Sequence, residues 1–139
     1  MRILQKYQPL CLSALSGILL ILIFPRFDLE ILAWVALVPL FFSIQKQSPP
    51  RAAIYGFFTG MVFYFFSLHW VIDTVVNYGK VPVFLAYPIL GLLAAYLAFY
   101  IGIFCVLCRK LSYDKPLLFL LLAPWIWTGL EYIRSTPLE

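Results

Sequence analysis

The stretch VPVFLAYPILGLLAAYLAFYIGIFCVLC, residues 81–108, runs for 28 residues without a charged side chain. A membrane-crossing helix needs about 20 apolar residues, within a range of roughly 17–25. Residues 81–108 therefore predict a span. Outward from it, the neighbouring charge-free runs are Ala52–Ile72 with 21 residues and Tyr7–Pro25 with 19, then Ile31–Gln45 and Pro116–Leu130 with 15 each. The last two reach across a bilayer only with flanking residues such as Leu29, Tyr132 and Ile133. The pattern predicts an all-α, polytopic membrane helix bundle. Its single transmembrane domain, residues 1–139, carries five helices at approximately 8–25, 29–45, 52–73, 81–108 and 116–133. The competing arrangement folds the first two runs into a re-entrant hairpin, because Phe24-Pro25-Arg26-Phe27-Asp28 leaves little room for a loop.

Composition points the same way. The chain of 139 residues is 64% hydrophobic and 12% charged, against roughly 45–50% and about 25% in soluble domains. A domain this small cannot hide that much apolar surface in one core, so an ordinary soluble fold is excluded. The net charge of +4 is spread singly between apolar runs, whereas nucleic-acid binding gathers its bases on one wet face. No nucleic-acid partner is expected.

Lys and Arg decide the orientation, because short cytoplasmic loops retain positive charge. Arg2, Lys6, Lys46, Arg51, Arg109, Lys110 and Lys115 collect on one side, and Arg26, Lys80 and Arg134 on the other. This alternation puts the N-terminus in the cytoplasm and the C-terminal end outside. The re-entrant alternative must keep Arg26, with Asp28 and Glu30, within the membrane or on the inner side. The start imitates a signal peptide, but Ser13, Ala14, Ser16 and Gly17 fall early in the apolar run and Ile23-Phe24-Pro25-Arg26 offers no small-x-small cleavage site. It reads as an uncleaved anchor. Leu15-Ser16-Gly17 is followed by Ile18, so the chain lacks the cysteine of a lipoprotein processing site.

Local signals mark the boundaries. Asp28, Ser48 and Asp114 stand at N-cap positions, and Pro116 just inside the fifth helix. Trp34, Tyr55, Trp70, Tyr78, Tyr113, Trp127 and Tyr132 lie near helix ends, where amphipathic rings favour the head-group layer. Pro39, Pro88 and Pro124 fall inside runs and are expected to kink them. Gly56-x-x-x-Gly60 permits close backbone approach, here to a partner helix of the same chain.

Few residues carry chemistry. His69 and Asp73, spaced i, i+4, share a helix face at the end of the third span. They read as an interfacial polar pair, with a proton relay as the sharper alternative. Glu131 and Arg134, spaced i, i+3, read as an interfacial salt bridge. Cys11, Cys105 and Cys108 are odd in number and lie in apolar runs, so no disulfide framework follows. Cys105-x-x-Cys108 lacks the further ligands of a tetrahedral metal site and reads as two small fillers. No cofactor, metal site or catalytic residue is expected. Cys105 and Cys108 lie about one bilayer thickness, roughly 30 Å, from His69, too far for a base and its nucleophile.

Several stretches in order resemble the N-terminal membrane region of the apolipoprotein N-acyltransferase family. They are Phe24-Pro25-Arg26-Phe27-Asp28, Leu32-Ala33-Trp34-Val35-Ala36-Leu37-Val38-Pro39-Leu40, Gly56-Phe57-Phe58-Thr59-Gly60 and Ser67-Leu68-His69-Trp70-Val71, then Pro124-Trp125-Ile126-Trp127 with Glu131-Tyr132-Ile133-Arg134. The resemblance implies a multi-pass enzyme of the bacterial inner membrane that moves an acyl chain from a phospholipid to the N-terminal diacylglyceryl-cysteine of a lipoprotein. It also implies eight membrane helices and an external nitrilase-like domain whose Glu-Lys-Cys triad forms an acyl-thioester. That triad maps onto none of the cysteines here, so this chain is expected to be inactive alone. Trp70, Tyr78, Trp127 and Glu131, at the outer ends of the third and fifth helices, are the expected lipid platform. The competing class is a non-enzymatic membrane protein, either a small transporter subunit or an assembly partner.

Overall fold

The computed structural model describes residues 2–23, 29, 31–32, 35–112 and 115–136. The expected N-caps Asp28 and Asp114, the acidic Glu30, and Arg26, Trp34 and Tyr113 lie outside the described residues. Within them the regular structure is all helical, with no strand: α1 Arg2–Ile23, α2 Val38–Ile44, α3 Pro49–Ser67, α4 Trp70–Asn77, α5 Val83–Ser112 and α6 Pro116–Ser135. The central helix is α3, packed between α1 and α5; α2 leans on α1, α6 on α5, and α4 on the first turns of α5.

Small residues set these contacts. A Cβ built on Gly56 would stand 2.6 Å from Cys105 Sγ, and one on Gly60 would stand 2.7 Å from Ala98 Cα. Neither space admits a side chain, and the Gly-x-x-x-Gly face packs α3 against α5 inside the chain, as its spacing predicts. Gly17 does the same for α1, where a Cβ would meet Val62 Cβ at 2.9 Å. Antiparallel packing follows, with Gly56 opposite Cys105 and Gly60 opposite Ala98.

The helix ends follow backbone chemistry. Ser48 occupies the N-cap of α3 in an extended conformation, as expected, but its side chain makes no cap bond. Pro49 and Pro50 fill the first helical positions and present no N–H to be capped. Pro116 likewise opens α6. Pro88 and Pro124 lie inside α5 and α6.

Two expected helices differ from the observed ones. Between 29 and 45 only Val38–Ile44 is α-helical; residues 31–32 form a 3₁₀ turn and 35–37 a turn. Pro39 therefore sits in the first turn of α2 and begins that helix, in place of the expected kink. The Ser16 hydroxyl of α1 donates to the Ala36 carbonyl and accepts the Leu40 amide at 3.2 Å. It thus stands between the two groups that an i→i−4 helical bond would join.

The expected helix 52–73 is also broken. Its parts, α3 and α4, meet at 54°. Tighter bonds replace the helical ladder there, with the Val71 amide reaching the Leu68 carbonyl at 2.9 Å and the Ile72 amide the His69 carbonyl at 3.1 Å. The Ser67 hydroxyl is buried beside the break without a hydrogen-bond partner. Among the described residues, α5 alone is long and apolar enough to cross a membrane, and α3 with α4 meets that requirement as a bent pair.

Candidate functional site

The buried polar groups gather where α1, α2 and α3 meet. Thr59 Oγ1 donates to the Ser13 carbonyl at 2.9 Å, Ser13 Oγ lies 3.2 Å from Ser43 Oγ, and Ser43 Oγ donates to the Leu40 carbonyl at 2.7 Å. Each hydroxyl is satisfied, as burial demands. This network locks helices together and leaves no group poised for chemistry.

The expected platform residues fall in two places. Trp127 stands on α6 with its ring edge-on to Phe104, centroids 5.5 Å apart and planes at 89°. Phe104 in turn faces Phe41 at 6.5 Å. One turn beyond Trp127, Glu131 accepts a hydrogen bond from Arg134. Arg134 and Glu131 also lie near enough to the Tyr64 hydroxyl of α3 to act on it electrostatically. The C-terminal turns of α3 and α6 thereby meet at one end of the bundle. Trp70 and Tyr78, by contrast, bracket α4, and both are exposed, at 60% and 86%. Ile72 packs on Ala86 and Leu90 of α5, which turns Trp70, Asp73 and Tyr78 outward on a short shelf.

His69 lies at the α3–α4 break, exposed, with its ring 6.3 Å from that of Tyr87. Asp73 is exposed one turn further on. Among the described residues no hydrogen bond or ion pair joins the two. Cys105 packs into the space left by Gly56, a filler's position, and Cys108 is buried below it.

Beside Trp127 lies a feature with no signature in the sequence. An apolar cavity of about 420 Å³, half open to the bundle surface, lies between Leu20, Phe41 and Phe63 on one side and Phe104, Ala123 and Trp127 on the other. Tyr64 also lines it and connects its carbon wall to the Arg134–Glu131 pair. Those residues come from five helices, and their approach depends on tertiary contacts between positions as far apart as 20 and 127.

The model of the apolipoprotein N-acyltransferase N-terminal domain matches residues 16–139. The chain is 36% identical over 124 residues to an apolipoprotein N-acyltransferase of Geobacter metallireducens, covering 89% of this chain and 24% of that protein. It is 28% identical to the enzyme of that name from Haemophilus influenzae over 96% of this chain and 25% of the relative. With that of Aquifex aeolicus the identity is 30% over 94% of this chain and 27% of the relative. The chain spans about a quarter of the length of these curated relatives.

Proposed function

The chain belongs to the apolipoprotein N-acyltransferase family, matching its N-terminal domain, and from that premise we propose that it is the membrane-embedded part of an enzyme acylating lipoproteins. The acyl chain passes from a phospholipid to the α-amino group of a lipoprotein's N-terminal diacylglyceryl-cysteine. Five spans in the bacterial inner membrane carry the chain from a cytoplasmic N-terminus to a periplasmic C-terminal end: α1, the segment 29–45 in which the short α2 is continued by turns, α3 with α4 as one bent span, α5 and α6. The family match across residues 16–139 carries this reading.

Physical chemistry supports a bilayer location for such a reaction. Both substrates hold acyl chains that cost about 0.8 kcal/mol per CH₂ to bring into water, so they meet best at the membrane edge. The bundle displays large apolar side chains outward, including Leu92 at 74%, Leu117 at 75% and Trp125 at 78% exposure, and lipid covers such a surface without cost. Trp70 and Tyr78 on the α4 shelf, with Trp127 and Glu131 on α6, make the platform where lipid heads approach the catalytic part of the enzyme. This chain supplies no catalytic residue and is inactive alone.

A chimera tests the reading. Residues 1–136 replace the matching region of the Haemophilus influenzae relative, and N-acylation of a diacylated lipoprotein is measured. Sustained acylation is expected. A chimera that inserts and accumulates normally yet fails to acylate contradicts the proposal.

A further inference from the structure

The cavity beside Trp127 is walled by Leu20, Phe41, Phe63, Phe104 and Ala123 with hardly a polar atom. Its volume of about 420 Å³ lies within the roughly 300–1,000 Å³ of small-ligand sites. Water needs two to four polar partners to settle in such a space, and these walls do not offer them. An alkyl chain needs none. The polar groups stand together at one place, where Tyr64 leaves the cavity lining and meets Arg134 and Glu131 in the last turns of α6. Arg134 and Glu131 keep 28% and 37% of their side-chain surface accessible. A guanidinium carries five N–H donors in a fork that suits phosphate, more than one carboxylate oxygen and one phenol oxygen take up. A carbon-lined slot with a cation, a phenol and a carboxylate at one end has the polarity of a phospholipid.

We propose that this cavity binds one acyl chain of a phospholipid, whose phosphate is received by Arg134 and the Tyr64 hydroxyl and whose headgroup ammonium is received by Glu131. This rests on the reading of the chain as a lipid-facing part of an acyltransferase and assigns the donor lipid a place within the bundle. The Arg134–Glu131 pair then opens to take the two charges of the head, each exchanging an internal partner for one of opposite sign on the lipid. Trp127 and Phe104, edge to face, form the rigid wall along the chain.

Native mass spectrometry of the whole chain, released from micelles containing dioleoyl-phosphatidylethanolamine, tests the assignment. One retained phospholipid is expected on the parent and on Leu121→Phe, whose residue faces outward away from the cavity. Ala123→Phe, which fills the cavity, and Arg134→Gln are each expected to lower retention by about tenfold. Retention unchanged in Ala123→Phe, with helix content intact by circular dichroism, overturns the cavity site. Retention unchanged in Arg134→Gln, with a neutral alkyl detergent competing as well as the phospholipid, overturns the headgroup assignment. If Ala123→Phe does not fold, a chain retaining Trp127 as its sole tryptophan is titrated with mid-chain brominated phosphatidylethanolamine. Saturable quenching supports the site and its absence overturns it. Loss of retention leaving acylation by the chimera intact rejects this site as the donor's place without touching the proposed function, whereas an inactive chimera with retention intact rejects the function alone.

Discussion

Gly60 of α3 lies so close to Ala98 of α5 that a Cβ on the glycine would stand 2.7 Å from the alanine Cα and 2.8 Å from its Cβ. Neither atom belongs to a flexible side chain that can swing away, so the two backbones must separate to admit any larger residue. Together with Gly56 against Cys105, this contact fixes the register of the two central helices. Replacement of Gly60 by Leu is expected to cost about 1–3 kcal/mol as an overpacked contact, read by denaturant titration in detergent micelles. An unchanged midpoint would show that α3 and α5 do not meet at this face.

Ser16 performs a different service. Its hydroxyl joins the Ala36 carbonyl and the Leu40 amide, both buried among α1 and α2. Ser16→Ala leaves those groups without that partner and is expected to destabilise the bundle by about 1–3 kcal/mol. Thr59→Val removes one interhelical bond, to the Ser13 carbonyl, and is expected to cost less, about 0.6 kcal/mol, as such bonds average in membrane bundles. The same titration ranks the pair, and a larger loss for Thr59→Val than for Ser16→Ala contradicts this assignment.

Much of this arrangement was legible locally. Ser48 and Pro116 announced helix starts, the serine as an N-cap and the proline because it needs no donor there, and Gly56-x-x-x-Gly60 announced a close helix contact. The shortening of α2 was not legible, because it involves Ser16, twenty residues before Ala36 and read in the sequence only for its bearing on signal cleavage. Nor was the break at Leu68–His69, which has neither glycine nor proline; Ser67 and His69 are its only local polar marks. Of the site, Trp127 and Glu131 were visible as an aromatic and a charge near a helix end. Tyr64 and the cavity were not, since a tyrosine 70 residues from Arg134 carries no pairing signal in a single sequence.

Trp127 and Phe104 give a measure of the cavity wall. Trp127→Leu keeps an apolar side chain but loses the edge-to-face pair, which is worth about 0.5–1.5 kcal/mol beyond area burial. A destabilisation of that size is expected by denaturant titration. No change would mean the two rings are not held against each other.

Glu131 and Trp70 separate function from stability. The Glu131–Arg134 pair is partly exposed, and such pairs contribute about 0–1 kcal/mol, so Glu131→Gln is expected to leave the fold nearly unaltered. In the chimeric enzyme, Glu131→Gln and Trp70→Ala are each expected to lower lipoprotein acylation by about tenfold at equal protein level, equivalent to about 1.4 kcal/mol of lost stabilisation. Full acylation in both variants would remove these residues from the platform.

All of these functional expectations require the C-terminal turns of α6 to face the periplasm. Alkaline phosphatase, active only after export, fused behind Arg134 is the most direct measurement, with a second fusion behind Gln47 as its internal contrast. The account predicts an active enzyme behind Arg134 and an inactive one behind Gln47; the reverse pattern, or activity at neither position with both fusions stably made, would contradict it.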